Sequence, residues 1–340
     1  MKRAARLIAI FYLFALLALW AMLRFDTGFW WPVTLFLFSP RWVVGVPLLV
    51  LVPLTLAFHR RMTLLYALHG LIILFPIMDY RISWGGGNQT PAELSLRLMT
   101  CNLGGGSIRS DQLVALATDN QIDVLVLQEC ASSLSKPVFK KLGWIHRQKS
   151  NLAIGSSFEL GEMQVVAQQP PGQYNAIAAV CCELRIPNGA PSAIDNHPVL
   201  PESKSVQIVD VHFPTFRPAL EKARRFDPDT GVAIGELRIQ YGELVEGVAK
   251  QIETFAVPTV IAGDFNVPVE SASYRNYWSH YRNALSIAGT GLLYTKHTRL
   301  HGVRIDHVLV DGNWRVVSAI VGPDVGGDHR PVIVELSLTK

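Results

Sequence analysis

The chain has 340 residues, 49% of them hydrophobic, which is enough for one large domain or two ordinary ones. Charge and apolarity are unevenly spread: residues 1–81 carry eight Lys/Arg and two Asp/Glu, leaving 23 against 25 for residues 82–340. The basic balance therefore belongs to a hydrophobic front end, and the remainder lacks the overall positive charge of a non-specific nucleic-acid binder, although a local basic cleft stays open.

In chain order, residues 7–23 form an uninterrupted apolar stretch flanked by Lys2, Arg3, Arg6 and Arg24, and residues 42–58 and 62–78 form a second and a third. Each approaches the roughly 17–25 residues that cross ~30 Å of hydrocarbon. A cleavable signal peptide competes for the first, but no small-residue cleavage pattern follows it and two further apolar stretches do. Residues 29–38, with Trp30 and Trp31, are too short for a span and suit the membrane interface. Lys2, Arg3 and Arg6 precede the first span and Arg60 and Arg61 separate the second from the third, so the positive-inside rule places both groups in the cytoplasm. Three spans then leave the rest of the chain outside. The expected division is a membrane anchor over 1–82, a linker over 83–93 and a catalytic domain over 94–340.

After the linker, strands are expected at 96–101, 124–127, 152–155, 176–186, 206–211, 257–262, 303–310, 314–321 and 331–338. Helices are expected at 110–120, with Ser110 as N-cap, and at 236–255, with a turn at 227–231. Strands dominate with a few helices between them, which points to mixed sheets packed face to face with helices outside. Cys101 and Cys130 adjoin candidate site residues and face away from them, as two buried thiols or a disulfide. Cys181 and Cys182 fall in a strand, and no cysteine spacing matches a zinc site.

Six segments share one pattern, an apolar strand joined to polar residues. They end or begin at Asn102, Glu129, His212, Asp264 with Asn266, Asp306, and Asp328 with His329. In Gly263-Asp264-Phe265-Asn266 the acid and the amide are two residues apart, and period-two strand geometry points them the same way. Oxygen ligands of this kind suit a hard cation such as magnesium, while Asn, His and Asp surround a phosphate-sized charge.

This ordered set resembles the endonuclease/exonuclease/phosphatase superfamily, through Gln128-Glu129, Gly263-Asp264-Phe265-Asn266, Arg304-Ile305-Asp306 and Gly327-Asp328-His329-Arg330-Pro331. Residues 151–156 also look like the family's central strand, with Asn151 where glycine is usual. The resemblance implies a four-layer α/β sandwich, two mixed β-sheets face to face with helices on both outer faces, here preceded by an N-terminal transmembrane helical anchor. It also implies a metal-dependent hydrolase of phosphoester bonds using Mg²⁺, with Mn²⁺ as a substitute. By the same resemblance Glu129 is the main metal ligand, with Asn102 and Asp328 beside the ion. Asp264 positions or deprotonates the attacking water, Asn266 donates to the phosphoryl oxygens, His212 and His329 contact the scissile phosphate, and Asp306 fixes the tautomer of His329.

Other polar residues have plainer readings. Residues 104–106 form a flexible loop without the lysine of a P-loop, His307 packs beside Asp306, His69 meets a neighbouring helix, and Lys296, His297, Arg299 and His301 lie in a solvated basic loop. Residues 213–217 form an exposed aromatic and basic segment near the cleft, and Arg224 and Arg225 a solvated turn. Three functions follow as expectations: a membrane-tethered phosphohydrolase acting on a lipid-linked or headgroup phosphate outside the cytoplasm, a surface nuclease, or an inactive binding module. The anchor favours membrane lipids and a phosphorylated, lipid-linked substrate as partners over nucleic acid. The three-span layout is similar to that of bacterial membrane proteins linked to glycopeptide resistance.

Overall fold

The computed structural model describes residues 2–26, 28, 30–58, 62–83, 94–104, 108–170, 176–187, 192–194, 197–199 and 203–339. Nearly all of the expected linker, together with Arg60 and Arg61, lies outside the described residues.

The first apolar stretch is one helix, Lys2–Phe25, of which Ala5–Phe25 is long and apolar enough to cross a membrane. The second is not straight: Trp31–Leu37 and Arg41–Ala57 meet at 92°. The break falls at Phe38, Ser39 and Pro40, where Ser39 Oγ donates to the Phe36 carbonyl. The third, Thr63–Ile77, has 15 residues and rises only about 22 Å, and Pro76 lies in its terminal π-turn. His69 joins this element to the first helix, its Nε2 lying 3.0 Å from the Ala9 carbonyl. Leu7, Phe11, Leu49 and Leu64 are exposed by 67, 77, 74 and 81%. Apolar side chains are thus bared on several helices of one unit, more than the surface of a water-soluble monomer usually exposes in one region.

This helical unit seats on the rest of the chain through charge. Arg41 and Glu270 form an ion pair at 2.5 Å, Arg304 and Asp79 one at 2.6 Å, and Arg275 Nη1 donates to the Leu23 carbonyl at 3.1 Å. Burial pushes the Glu270 carboxyl up, but the Arg41 guanidinium outweighs it and holds the group at about 2.

Beyond the linker two mixed sheets pack face to face. The first runs Trp314–Val321, Val332–Leu338, Ser95–Asn102, Val124–Gln128, Leu152–Ser156, Ile145–Lys149. The second runs Arg282–Asn283, Asp306–Val310, Thr259–Asp264, Ser203–His212, Ile177–Pro187, Glu159–Leu160, with Gln164–Gln168 also on Ile177–Pro187. Central strands are covered on both faces, which is why they read as unbroken apolar runs. Val124, Val126, Val260 and Ala262 point into the space between the sheets. Leu125 and Leu127 point out beneath Ser110–Asp119 and Ser132–Leu142, while Ile261 points out beneath Thr230–Ile252 and Ala272–Trp278. The result is the expected four-layer sandwich.

Each sheet holds one parallel pair at its centre, Ser95–Asn102 with Val124–Gln128 and Ser203–His212 with Thr259–Asp264. Parallel register brings the C-terminal ends of the four strands to the same edge, with Asn102 opposite Gln128 and His212 opposite Asp264. That edge is where the polar tips collect. Several elements differ from expectation. The run 303–310 divides, because Gly302–Val303 pairs with Lys296–His297 and only Asp306–Val310 joins the second sheet. Ser110 is the first helical residue rather than the cap, a place taken by Arg109. The turn at 227–231 runs straight into Thr230–Ile252, which starts six residues before the expected helix. Ser132–Leu142 escaped notice because Pro137 and its polar residues disguise it, and Ile145–Lys149 is a polar edge strand. All four cysteines are free and buried, Cys101 and Cys130 on the outer, helix-covered face of the first sheet.

One polar link crosses the core directly behind that edge. Gln128 Nε2 donates to Asp210 Oδ1 at 2.7 Å and to Thr100 Oγ1 at 3.1 Å, joining the two sheets. Burial drives the Asp210 carboxyl well above its usual range and the Gln128 hydrogen bond offsets this only partly, so the folded chain keeps a proton there. The unfolded chain sheds that proton above about pH 4, so this group costs increasing stability as pH rises from about 4 toward its folded pKa. Asp210→Asn keeps the acceptor and carries no such proton. Chemical unfolding of the full chain in detergent at pH 4 and pH 7 is expected to show the variant gaining on the parent as pH rises; parallel stability curves would show that Asp210 is not held neutral.

Candidate active site

Asn102 and His212 are the last residues of their strands, Asp264 closes Thr259–Asp264, and Glu129 follows Val124–Gln128 directly. Asp306 opens the neighbouring antiparallel strand opposite Asp264, and Asp328 and His329 sit in the turn before Val332–Leu338. All eight candidate residues therefore come to one edge of the sandwich, from both sheets.

Backbone geometry aims them. Glu129 has φ +49° and Asn266 φ +52°, left-handed conformations that cost non-glycine residues roughly 1–3 kcal/mol each. Gly263 has φ +141°, and a Cβ there would stand 2.0 Å from the Val211 carbonyl oxygen, so only glycine lets the strand turn its end toward the pocket. The strand stops at Asp264. Asn266 is brought back beside it by a turn in which its N–H donates to Asp264 Oδ1 at 2.8 Å, and not by the period-two alternation expected from the sequence. Asn266 Nδ2 also donates to the Phe213 carbonyl at 2.9 Å.

Asn102 is the centre of the arrangement. Its Nδ2 donates to Asp264 Oδ2 at 2.9 Å and to Glu129 Oε1 at 3.3 Å, while its Oδ1 accepts the Gly104 N–H at 2.9 Å. One amide thus ties together carboxylates carried by different sheets. His212 Nε2 lies 3.6 Å from Glu129 Oε1 and 3.9 Å from Asp264 Oδ2. On the other side His329 Nδ1 lies 2.9 and 3.0 Å from the two Asp306 oxygens, and its Nε2 faces Asp264 Oδ2 at 3.8 Å. Glu129, His212, Asp264, Asn266, Asp328 and His329 line a cavity of about 450 Å³. Asp306 and Asn102 stand behind this lining.

The electrostatics follow from crowding. Burial, then the nearby Asp306 carboxylate, push Asp264 above the ordinary range. Asp306 is pushed up by burial too, but the His329 imidazole brings it below that range. Burial opposes a charge on His329, yet the Asp306 carboxylate raises it to about 8. Lys296 Nζ stands 2.8 Å from His329 Nε2 and 2.7 Å from Asp328 Oδ2. An ammonium that close to Nε2 needs a lone pair there, which conflicts with a charged ring. The tight Asp306 pair governs the ring, and Asp328 at 2.7 Å is the partner that Lys296 keeps when His329 is protonated.

The donor set fits a divalent cation. Glu129, Asp264 and Asp328 send carboxylate oxygens into one pocket, and hard cations take such oxygens. Asp264, Asp306 and His329 also have ligand atoms within 4.8 Å of one another. In that trio, however, both Asp306 oxygens are already engaged by His329. Glu129, with 29% of its side chain exposed, is a more open carboxylate than Asp264 or Asp306.

Lys296 and Gln169, whose Nε2 donates to the His212 carbonyl at 2.6 Å, were not legible as site residues. Nothing near Lys296 in sequence separates it from the basic loop around it, and Gln169 has no local pattern. Arg217 reaches Asp328 at 3.6 Å. The expectation of an exposed aromatic segment at 213–217 is corrected: Phe213 and Phe216 are buried, Phe213 against Tyr241, Phe265 and Trp278. The Arg224–Arg225 turn is instead the end of a helix, Arg217–Arg224. His307 is a core residue between Asn283 and the Val267 carbonyl, held down to about 4 chiefly by burial.

A family profile described as the endonuclease/exonuclease/phosphatase family matches residues 99–329. Among solved structures, an endonuclease/exonuclease/phosphatase family protein from Bacteroides thetaiotaomicron superposes with a TM-score of 0.50 at 16% identity, over 73% of this chain and 99% of its own. One from Beutenbergia cavernae gives 0.50 at 18% identity, over 72% of each chain. A humanized D. rerio TDP2 gives 0.50 at 12% identity, over 72% of this chain and 99% of its own. At these identities the superpositions speak for the fold. No curated protein matches the chain by sequence. The profile spans more than half of the chain and every one of the eight converging residues, so the chain belongs to the endonuclease/exonuclease/phosphatase family, whose members are metal-dependent hydrolases of phosphoester bonds.

Proposed function

We propose that this protein is a membrane-tethered, magnesium-dependent phosphoesterase that hydrolyses a phosphoester or pyrophosphate on a lipid-linked or headgroup substrate outside the cytoplasm. The observation that carries the chemistry is the Asn102 amide shared by the Glu129 and Asp264 carboxylates, with His329 facing Asp264 across the same pocket.

In this reading Glu129 holds the cation, with Asp328 and Asn102 beside it; when bound, the ion supplies Lewis-acid stabilisation of phosphoryl oxygens. Asp264 is fixed by the Asn102 Nδ2 and the Asn266 N–H, one on each oxygen, and its raised proton affinity suits it to take the proton of an attacking water. His329, kept charged by Asp306, places an N–H donor where negative charge develops on the phosphoryl group. His212 approaches the same space from the second sheet. Asn266 retains one Nδ2 hydrogen beyond the one given to Phe213.

Tethering rests on the Ala5–Phe25 helix and on the apolar surface of the helices packed with it. In our reading the bent pair and the Thr63–Ile77 element enter the membrane as a second and a third pass. Leu23, Asp26, Arg41 and Asp79 touch the catalytic domain, so that domain sits at the opposite end of the first helix from Lys2, Arg3 and Arg6. Positive-inside orientation then puts it outside the cytoplasm. A nuclease is the second reading, and the basic residues Arg217, Arg224, Lys296 and Arg299 beside the pocket favour it. It requires a steep loss of binding with salt.

Full-length protein in detergent is expected to hydrolyse bis(p-nitrophenyl) phosphate with magnesium and not with chelator. Glu129→Gln and His329→Ala are each expected to lower kcat by roughly 10²–10⁴-fold; full magnesium-dependent turnover in Glu129→Gln would refute the site. For orientation, an alkaline phosphatase reporter fused after Lys340, active only outside the cytoplasm, is expected to be active, and an inactive fusion present at normal level would reverse the topology.

A further inference from the structure

A second cavity, of about 640 Å³, opens from the catalytic pocket, and the two share Thr215, Arg217, Asn266, Lys296 and Asp328 on their walls. Its far wall is made by the membrane unit itself. Phe38 and Pro40, at the break between Trp31–Leu37 and Arg41–Gly45, face the helix Arg217–Arg224 and the turn that joins Lys296–His297 to Gly302–Val303. Three contacts fix this wall. The Phe38 and Phe216 rings stack at 5.8 Å, His301 Nε2 lies 2.9 Å from the Phe38 carbonyl, and Trp42 Nε1 donates to the Leu300 carbonyl at 3.2 Å. Leu300 on this wall is 70% exposed, and Trp42, bonded to it, is exposed as well.

The groove is two-faced. Near the catalytic end it carries Arg217 and Lys296, farther along Arg224 and Arg299, against the acids Glu221 and Asp328. Its membrane end is apolar, through Phe38, Leu220 and Leu300. A cavity that begins at a phosphate-binding site, continues between basic residues and ends in apolar side chains of the anchor matches an amphiphile read from head to tail. We infer that this groove is the substrate's second subsite, and that its occupant is a membrane lipid bearing a phosphate ester, with the phosphate in the catalytic pocket and the hydrocarbon chain leaving over Phe38 and Leu300. This rests on the phosphoesterase reading and adds where the lipid lies and why the anchor is built into the site wall.

The test uses full-length protein in detergent with magnesium and a non-hydrolysable series from ethylphosphonate to octylphosphonate, followed by calorimetry. Affinity is expected to rise with chain length, by up to about fourfold per buried methylene and at least tenfold across the series. Leu300→Asp is expected to flatten the rise, and because Leu300 is exposed the change does not threaten folding. Equal affinities across the series, or the same rise in Leu300→Asp, would overturn the inference. So would a phosphorothioate oligonucleotide that displaces octylphosphonate with a steep salt dependence, which would assign the groove to nucleic acid. Absence of phosphoester hydrolysis alongside a chain-length gain would refute the catalytic reading and leave the groove standing, so the two failures are distinguishable.

Discussion

Negative charge gathered at one edge of the sandwich is the constraint on which the rest of the structure depends. Four carboxylates, Glu129, Asp264, Asp306 and Asp328, arrive from both sheets, and Asp264 and Asp306 are almost fully buried. Taking such groups out of water is expensive unless each is hydrogen-bonded or paired. The molecule meets this with an Asn102 amide shared by two of them, an Asp306–His329 pair, and Lys296 on Asp328. What is left is Glu129, with 29% of its side chain exposed at the pocket, where our reading places the cation. The parallel pairs, the glycine at 263 and the left-handed backbone at Glu129 and Asn266 all serve that convergence.

The same edge is packed against the N-terminal helical unit. Arg304 is buried and bonded to Asp79 just past the helix Thr63–Ile77, and it lies two residues before Asp306. The turn at Phe38 meets the N-terminal end of the Arg217–Arg224 helix, which carries Arg217 toward Asp328. The N-terminal helices and the pocket are therefore neighbours in one packed surface. Breaking the buried Arg304–Asp79 or Arg41–Glu270 pair leaves an uncompensated charge beside the strands that end at the pocket.

Much of this was legible in the sequence, for identifiable reasons. Strands such as Val124–Gln128 and Thr259–Asp264 announce themselves because burial on both faces demands an apolar run, and the polar residue that ends each run marks the site edge. Asn266 was placed in the right pocket for an incorrect reason, since a turn and not strand alternation returns it to Asp264. Lys296 and Gln169 escaped because their roles depend on which distant strand they meet, and no local spacing encodes that. Phe213 was misjudged as exposed because a residue directly after a site histidine looks like a loop, whereas here it plugs the core beneath the long helix. The bend at Phe38–Pro40 was invisible to a count of apolar residues, although the proline marked it.

The most direct test of the central claim is the position of the ion. Crystals of the full-length protein grown with Mn²⁺ and measured for anomalous scattering are expected to show a peak within about 2.2 Å of a Glu129 carboxylate oxygen, lost in Glu129→Gln. A peak enclosed instead by Asp306 and His329, with their hydrogen bonds broken, or one remote from Glu129, would contradict the account.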